Sequence, residues 1–448
     1  MRPAVWPREA HRMMVLDAAH ATLAHADIED LPSLVRAGDL VVVNDAATIP
    51  ASLRGTTARG EPVELRLAGA TDDETVWSAV LFGDGDWRTR TEHRPAPPRV
   101  TVGDELVFGE ALTAVIEALS TRSDRLVTVR FGLSGDRLWR AIYALGRPVQ
   151  YAHLADDLPL WHVQTVYAGR PWAVELPSAG HPLRWSLLAA LRAKGCVIAR
   201  VTHAAGLSAT GDDALDAALP LPERYEIPEE TAAAIEAARL QGRRVIAVGT
   251  SVVRALEGCA ATHGRVIAGR GVTDLRLGPR SPLRVVDAVL SGMHDPGTSH
   301  FELLSAFAPP SLLLDAVREG AEREYVNHRV RRHACLVWSP SPSLPRGEAG
   351  GGCPLVAGMP SPRPLPGRAG RREAASSEQR ATSDARHSSS VCLPEATLTP
   401  SPGSAGRGRG EGMAATNRHP LPASRGRDGE GAVTAASRAA PRGRCRAS

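Results

Sequence analysis

Apolar residues fall along this chain in two rhythms, and the change between them divides it. At 13–17 and in the DLVVVN run at 39–44 the apolar positions are continuous, as in a strand covered on both faces. Between about Ser52 and Arg147 the segments are short and alternating: VELRLAG (63–69), TVWSAVLFG (75–83), RVTVGDELVFG (99–109) and RLVTVRFG (125–132), separated by Gly, Asp and Pro turns. Short strands at that spacing predict a small antiparallel barrel or sandwich, with the prolines near Pro97 in a turn. After Pro148 helix and strand alternate. Trp185 to Lys194 predicts a helix with Leu187, Leu188 and Leu191 on one face, stopped by Gly195, and Cys196 to Thr202 predicts a strand. Pro228 opens a helix, EETAAAIEAARLQ, that Gly242 closes. A strand at 244–248, GTS and the helix VVRALEG follow, then a strand at 284–290, a last helix and a short strand at 334–338. The expected fold is α/β, a mostly parallel sheet with flanking helices, interrupted by an inserted small β-barrel. Residues 1–51 and 148–338 would form one discontinuous catalytic domain. The insert would span 52–147, with its two ends close together.

Composition separates a tail from this body. Residues 341–448 contain no Phe, Trp, Tyr, Ile or Lys and are rich in Pro, Ser, Gly, Ala and Arg. Such a segment buries too little apolar area to offset its ordering entropy, so 339–448 is expected to be a disordered low-complexity tail. The formal charge of +4 divides unevenly: the tail holds 16 Arg against 8 acids, and 37 cations against 41 acids remain in residues 1–340. A uniformly basic, nucleic-acid-binding body is therefore not supported, although a local Arg patch stays open. The six cysteines show no metal-ligand spacing and no disulfide framework. With no apolar signal segment at the N-terminus and no run of membrane-helix length, the expectation is a cytoplasmic protein without a metal.

Chemistry concentrates where apolar strands stop. The strand at 40–43 ends at Asn44 and Asp45; that at 196–202 ends at His203; that at 244–248 ends at Gly249, Thr250 and Ser251; and the run Val285–Leu290 ends near His294 and Asp295. In open α/β sheets ligands sit at the carboxyl ends of parallel strands, so four polar tips on one rim would define a site. Thr250 or Ser251 is placed to cap the next helix, whose free N–H groups, with Arg254 one turn inside, suit an anion; an ordinary cap beside a surface Arg fits the same residues. His203 and His294 titrate near neutrality and suit proton transfer, or are simply hydrogen-bonded. Asp287, inside an apolar strand, needs partners: it would orient a catalytic group or satisfy loop amides. Glu223, in PLPERYEIP, reads as a loop carboxylate of lesser interest. No Gly-rich dinucleotide fingerprint opens a first βα unit, and no Walker A, GxSxG or HExxH pattern occurs. This disfavours ordinary Rossmann enzymes, P-loop NTPases, α/β-hydrolases and zinc proteases.

Four segments in order, VVVNDAATIPA (41–51), QTVYAGRPWAVELPSAG (164–180), RVIAVGTSVVRALE (244–257) and VVDAVLSGMHDPGTSHFELLSAF (285–307), resemble the S-adenosylmethionine:tRNA ribosyltransferase-isomerase family of queuosine biosynthesis. REAHRMMVLD (8–17) and ERYEIP (223–228) are weaker matches, and the resemblance spans roughly residues 8 to 338. It implies an α/β domain with an inserted β-barrel. The activity it implies is transfer and isomerisation of the ribosyl group of S-adenosylmethionine onto 7-aminomethyl-7-deazaguanine in tRNA. That gives epoxyqueuosine with release of adenine and methionine. S-adenosylmethionine would be a co-substrate, tRNA the partner and the enzyme a monomer. By motif position the resemblance puts His203, Arg254, Asp287 and His294 in catalysis, with Asn44, Pro177, Ser178, Gly180, Thr250 and Ser251 shaping the co-substrate pocket.

The chain departs from the family pattern at polar positions while keeping the apolar scaffold. Asp45-Ala46-Ala47 stands for Asn-Thr-Arg, Ser52 for Arg, Pro182 for His (with His181 adjacent) and Leu221 for His. The loop after His203 reads Ala204-Ala205-Gly206-Leu207-Ser208, and Pro296-Gly297-Thr298-Ser299 replaces Pro-Glu-Ser-Thr. Val330 to His333 replaces an aromatic-Gly-Asp step. Two further readings follow: a divergent paralogue using S-adenosylmethionine on another nucleoside or small molecule, and a non-catalytic RNA-binding protein.

Overall fold

The structure, a computed structural model, describes residues 12–152, 156–325 and 334–339. The segment expected to be a disordered tail, apart from Ser339, and Val330 to His333 lie outside the described residues. A nine-stranded sheet forms the centre. Its middle four strands, Val197–His203, Leu40–Asn44, Val245–Val248 and Ala288–Gly292, are neighbours in that order and mutually parallel. The sheet as a whole is mixed, which corrects the expectation of a mostly parallel one. Glu223–Ile227 and Gly269–Thr273 add antiparallel strands on one side. On the other, Ala334–Trp338 pairs antiparallel with Ala288–Gly292 but parallel with Arg12–Asp17, and Thr22–Asp27 closes that edge as a hairpin.

Both faces of the central strands are covered, which is why their sequences are continuously apolar. Leu40 and Val42 pack into one core with Val201, Val245, Ala247 and Val289 under helices Glu229–Leu240 and Thr250–His263. Val41 and Val43 point the other way, into a core with Ile246, Val248 and Leu290 under helix Trp185–Ala193. The Thr250–His263 helix starts from Gly249 at φ +97° and ends on Gly264 at φ +76°, both in the left-handed region that glycine occupies without strain. One sequence boundary moved. The apolar run begins near 284, yet the ladder begins at Ala288, because the amides of Arg284, Val285 and Val286 all donate to the buried Glu257 carboxylate.

The expected barrel is present. Six strands, Ser52–Thr57, Pro62–Ala70, Val76–Phe82, Glu105–Phe108, Leu112–Leu119 and Leu126–Phe131, close on themselves. Leu53, Leu65, Trp77, Phe82, Phe108 and Ile116 fill its interior, and helix Gly135–Leu145 packs Leu138 and Ile142 into the same core. The two ends of the 52–147 segment are stitched together: Ser52 and Arg147 exchange both backbone hydrogen bonds at 2.9 Å. The chain leaves the sheet after Leu40–Asn44 and returns beside its point of departure.

Candidate functional site at the strand tips

A cleft of about 1150 Å³ opens at the carboxyl ends of the central strands. Ser291 to His294 line it from the end of Ala288–Gly292, Gly249 to Ser251 and Arg254 from the helix after Val245–Val248, and Pro177 and Ser178 from a short turn. Val149 to Ala152, just past the barrel segment, and Arg90 to Glu92, on a barrel loop, line it as well. Of the residues expected to form the site, Arg254, His294, Pro177, Ser178, Thr250 and Ser251 face the cleft.

Asn44 is buried and works as a clip at the rim. Its Nδ2 donates to the His203 carbonyl (3.0 Å) and to Ser251 Oγ (3.2 Å), and its Oδ1 accepts from the amides of His203 (2.9 Å) and Ala46 (3.1 Å). Three of the strand tips are thereby locked in register. Gly180 is also buried; a Cβ there would sit 1.9 Å from the Tyr167 hydroxyl, so the position serves close packing. The expected side-chain cap at Thr250 or Ser251 does not form: Gly249 is the capping residue and no side chain bonds the first turn.

His203 is fully buried, behind the cleft wall. Its Nε2 lies 3.2 Å from Glu223 Oε2, and Arg254 Nη1 donates to that same oxygen. Glu223 Oε1 accepts from the Gly206 amide at 2.7 Å. Burial, with the neighbouring Arg254 charge, holds His203 well below the usual imidazole range, so it is neutral at pH 7. Burial pushes the Glu223 carboxyl above its ordinary value, with Arg254 opposing. Arg254 Nε also donates to the Leu275 carbonyl (3.3 Å), while its buried Nη2 has no hydrogen-bond partner. Glu223, passed over in the sequence as a loop carboxylate, in fact opens a strand and pairs with Arg254 beside the His203 ring, whose nitrogens make no hydrogen bond among the described residues.

Asp287 lies at the other end of the strands. Its Oδ2 accepts from the Val245 amide at 2.8 Å, where Val245–Val248 begins, and its carbonyl accepts from the Ser339 amide and hydroxyl. The structure does not bring it to the cleft. Two residues that sequence reasoning missed do line it. Glu175 accepts from the Ser208 amide (2.9 Å), the Ser208 hydroxyl (2.7 Å) and the Tyr151 hydroxyl. It follows strand Arg170–Ala173 by two residues, but that short segment, paired among the described residues only with Ala46–Thr48, has no apolar run of strand length to announce a strand tip in the sequence. His300 sits in the first turn after the cap of helix Ser299–Leu304, its ring stacked on His294. Among the described residues no group of acidic, His or Cys side chains is arranged to hold a metal ion.

A parallel-strand rim carrying two wall carboxylates, a half-satisfied arginine and a histidine pair, with a closed barrel inserted after Leu40–Asn44, defines an α/β enzyme of the ligand-at-the-strand-tips class. The chain belongs to the queuosine biosynthesis protein family, whose model matches residues 2–329. Its relatives include the S-adenosylmethionine:tRNA ribosyltransferase-isomerases of Parvibaculum lavamentivorans, 34% identical over 76% of this chain and 95% of that one, and of Methylocella silvestris, 35% identical over 78% and 96%. A solved S-adenosylmethionine tRNA ribosyltransferase of Thermotoga maritima aligns at 25% identity and TM-score 0.39 over 75% of this chain and 95% of its own.

Proposed function

We propose that the chain transfers and isomerises the ribosyl group of S-adenosylmethionine onto 7-aminomethyl-7-deazaguanine in tRNA, giving epoxyqueuosine, adenine and methionine. Its family membership and its relatives' named activity support this. The observation that carries it is the convergence of His294, Thr250, Ser251 and Arg254 on one cleft large enough for a nucleoside-sized co-substrate beside an acceptor base. The co-substrate carries a sulfonium cation and an α-carboxylate. The carboxylates of Glu175, Glu223 and Glu302 along the cleft favour the first, and the unpartnered Nη2 of Arg254 suits the second.

The reaction needs a proton removed beside the sulfonium, a proton delivered to departing adenine and an oriented amine nucleophile. His294, at the cleft surface with Ser291 Oγ 3.0 Å from its Nε2, is the proton carrier in this proposal. His203, neutral and enclosed, and Asn44 hold the wall instead of exchanging protons with ligand. Pro177, Ser178, Thr250 and Ser251 shape the co-substrate pocket, with Gly180 as packing beneath it. Residues 1–51 and 148–338 act as the catalytic domain and 52–147 as its insert. The protein works as a cytoplasmic monomer on tRNA, with no metal. Ala46, Ala47 and Ser52, standing where the family pattern is more polar or cationic, favour a second reading, the same co-substrate chemistry on a different acceptor.

Incubation with S-adenosylmethionine and precursor-bearing tRNA, followed by mass spectrometry of the nucleosides, tests both readings. Epoxyqueuosine with free adenine is expected. Adenine release without the modified nucleoside would replace the first reading by the second, and folded protein that yields neither product sinks the first. His294→Ala should keep the unfolding midpoint of the wild type and lose turnover by at least about 100-fold, the scale of a lost general acid or base; a collapse of folding instead would make the residue structural.

A further inference from the structure

The rings of His294 and His300 are stacked, with centroids 4.7 Å apart and planes 14° from parallel. Both line the cleft, and His294 is otherwise tied by its Nε2 to Ser291 Oγ at 3.0 Å. The local chain is built to place this pair. Ser291 is the next-to-last residue of strand Ala288–Gly292, Gly297 turns the loop at φ +83°, and Thr298 caps the next helix by accepting from the Phe301 amide at 3.2 Å. Phe301 is itself buried in the core, which fixes the start of that helix and hence the side chain at 300.

We infer that His300 is a positioning residue for His294: it holds the imidazole plane and keeps it unprotonated at neutral pH. This rests on the proposed role of His294 in proton transfer. Two imidazoles stacked face to face carry one proton between them far more readily than two, because the second cation forms against the face of the first. The pair therefore titrates in two macroscopic steps, and with the first proton on His300 the base form of His294 persists to lower pH than for a lone imidazole. The other charged side chains lining the cleft are Asp295, Glu302, Arg276, Arg254, Glu223, Glu175, Asp216, Arg90 and Glu92. All of them remain in the variants below, so their fields cancel in the comparison. Ser291 restricts rotation of His294 from the strand side and His300 restricts tilt from the helix side. A base held in two directions meets its proton in a single geometry.

Three full-length proteins separate these effects: wild type, His300→Ala and His300→Phe. For His300→Ala the expected result is a loss of kcat of about tenfold or more, with the KM for S-adenosylmethionine changed less than about threefold. Its acidic limb in the kcat/KM profile should move to higher pH by about half a unit or more, since the like-charged neighbour is gone. His300→Phe keeps a flat ring without the charge; it should recover most of the lost kcat while retaining the shifted limb. Histidine ring NMR of the unliganded proteins, with signals assigned through His294→Ala, supplies a readout independent of turnover. His294 should titrate in two steps in the wild type and in one, at higher pH, in His300→Phe. Wild-type kcat and an unmoved limb in His300→Ala would overturn the inference. So would a single-step, unshifted His294 titration across the three proteins, even if no adenine were released by any of them. Absence of product from the wild type with a two-step titration present would refute the function proposed above and leave the pairing standing.

Discussion

At the scale of single residues, the wall of the cleft is an electrostatic knot. Glu223 and Arg254 are both more than nine-tenths enclosed and bonded to each other. Removing one leaves the other as an uncompensated buried charge. Glu223→Gln or Arg254→Met should each cost about 3–5 kcal/mol in urea unfolding, and the double variant clearly less than their sum. Strict additivity would mean the two do not share an interaction. His203 adds a pH dependence whose sign is fixed. Its folded value lies below the unfolded value of about 6.5, so the unfolded chain binds a proton that the folded one refuses. That contribution is fully present above about pH 6.5 and is lost as pH falls below it; the raised Glu223 value acts oppositely, its share declining as pH rises above the ordinary carboxylate range of about 4.3. Unfolding free energies of wild type and His203→Gln at pH 7.5, 6.5 and 5.5 should diverge most at the highest pH and converge toward the lowest. Parallel lines across that range would remove His203 from the account. The sequence offered His203 as a proton carrier because it ends an apolar strand. Its position directly behind Glu223 depends on an antiparallel neighbour, His203 lying opposite Tyr225, and no local pattern announces that pairing.

At the scale of elements, the strands that could be read were those whose neighbours lie on both faces. LVVVN and VIAV declared themselves because alternate residues feed two different cores. The barrel strands declared themselves by alternation, since one side of each faces the barrel interior. What stayed hidden was order and direction. Ala334–Trp338 enters the sheet between Ala288–Gly292 and Arg12–Asp17, an arrangement of segments distant in sequence that turns an expected parallel sheet into a mixed one. Asp287 shows the cost of reading a residue without knowing its end of the strand. It precedes Ala288–Gly292 and accepts the Val245 amide, so it fastens the starts of two parallel strands while the chemistry lies at their finish. Asp287→Asn should therefore lower stability by about 1–3 kcal/mol, the range for a hydrogen bond to a charged acceptor, and leave kcat within about twofold. A large fall in kcat at unchanged stability would return Asp287 to the catalytic set.

For the whole molecule, charge and architecture are distributed differently. The sheet, the barrel and the cleft lie within residues 12–339, and the first 340 residues carry a slight acidic excess, 37 cations against 41 acids. The carboxylates lining the cleft suit a sulfonium, yet a tRNA presents a dense line of phosphates that the body's net charge repels. Residues 341–448, with 16 Arg and 8 acids, carry the net positive charge of the chain. Each phosphate neutralised by a cation releases counterions, so the contribution of those arginines must appear in the salt dependence of tRNA affinity and not in the chemical step. A protein ending at Ser339 should turn over saturating tRNA with kcat within about twofold of the full chain. Its KM for tRNA at low salt should be several-fold higher, and the slope of log affinity against log salt should be shallower. An unchanged slope would confine tRNA binding to the folded body and its local Arg residues. Loss of all tRNA binding together with a lack of adenine release in the full chain would leave a scaffold that holds RNA through its arginine-rich end and performs no transfer.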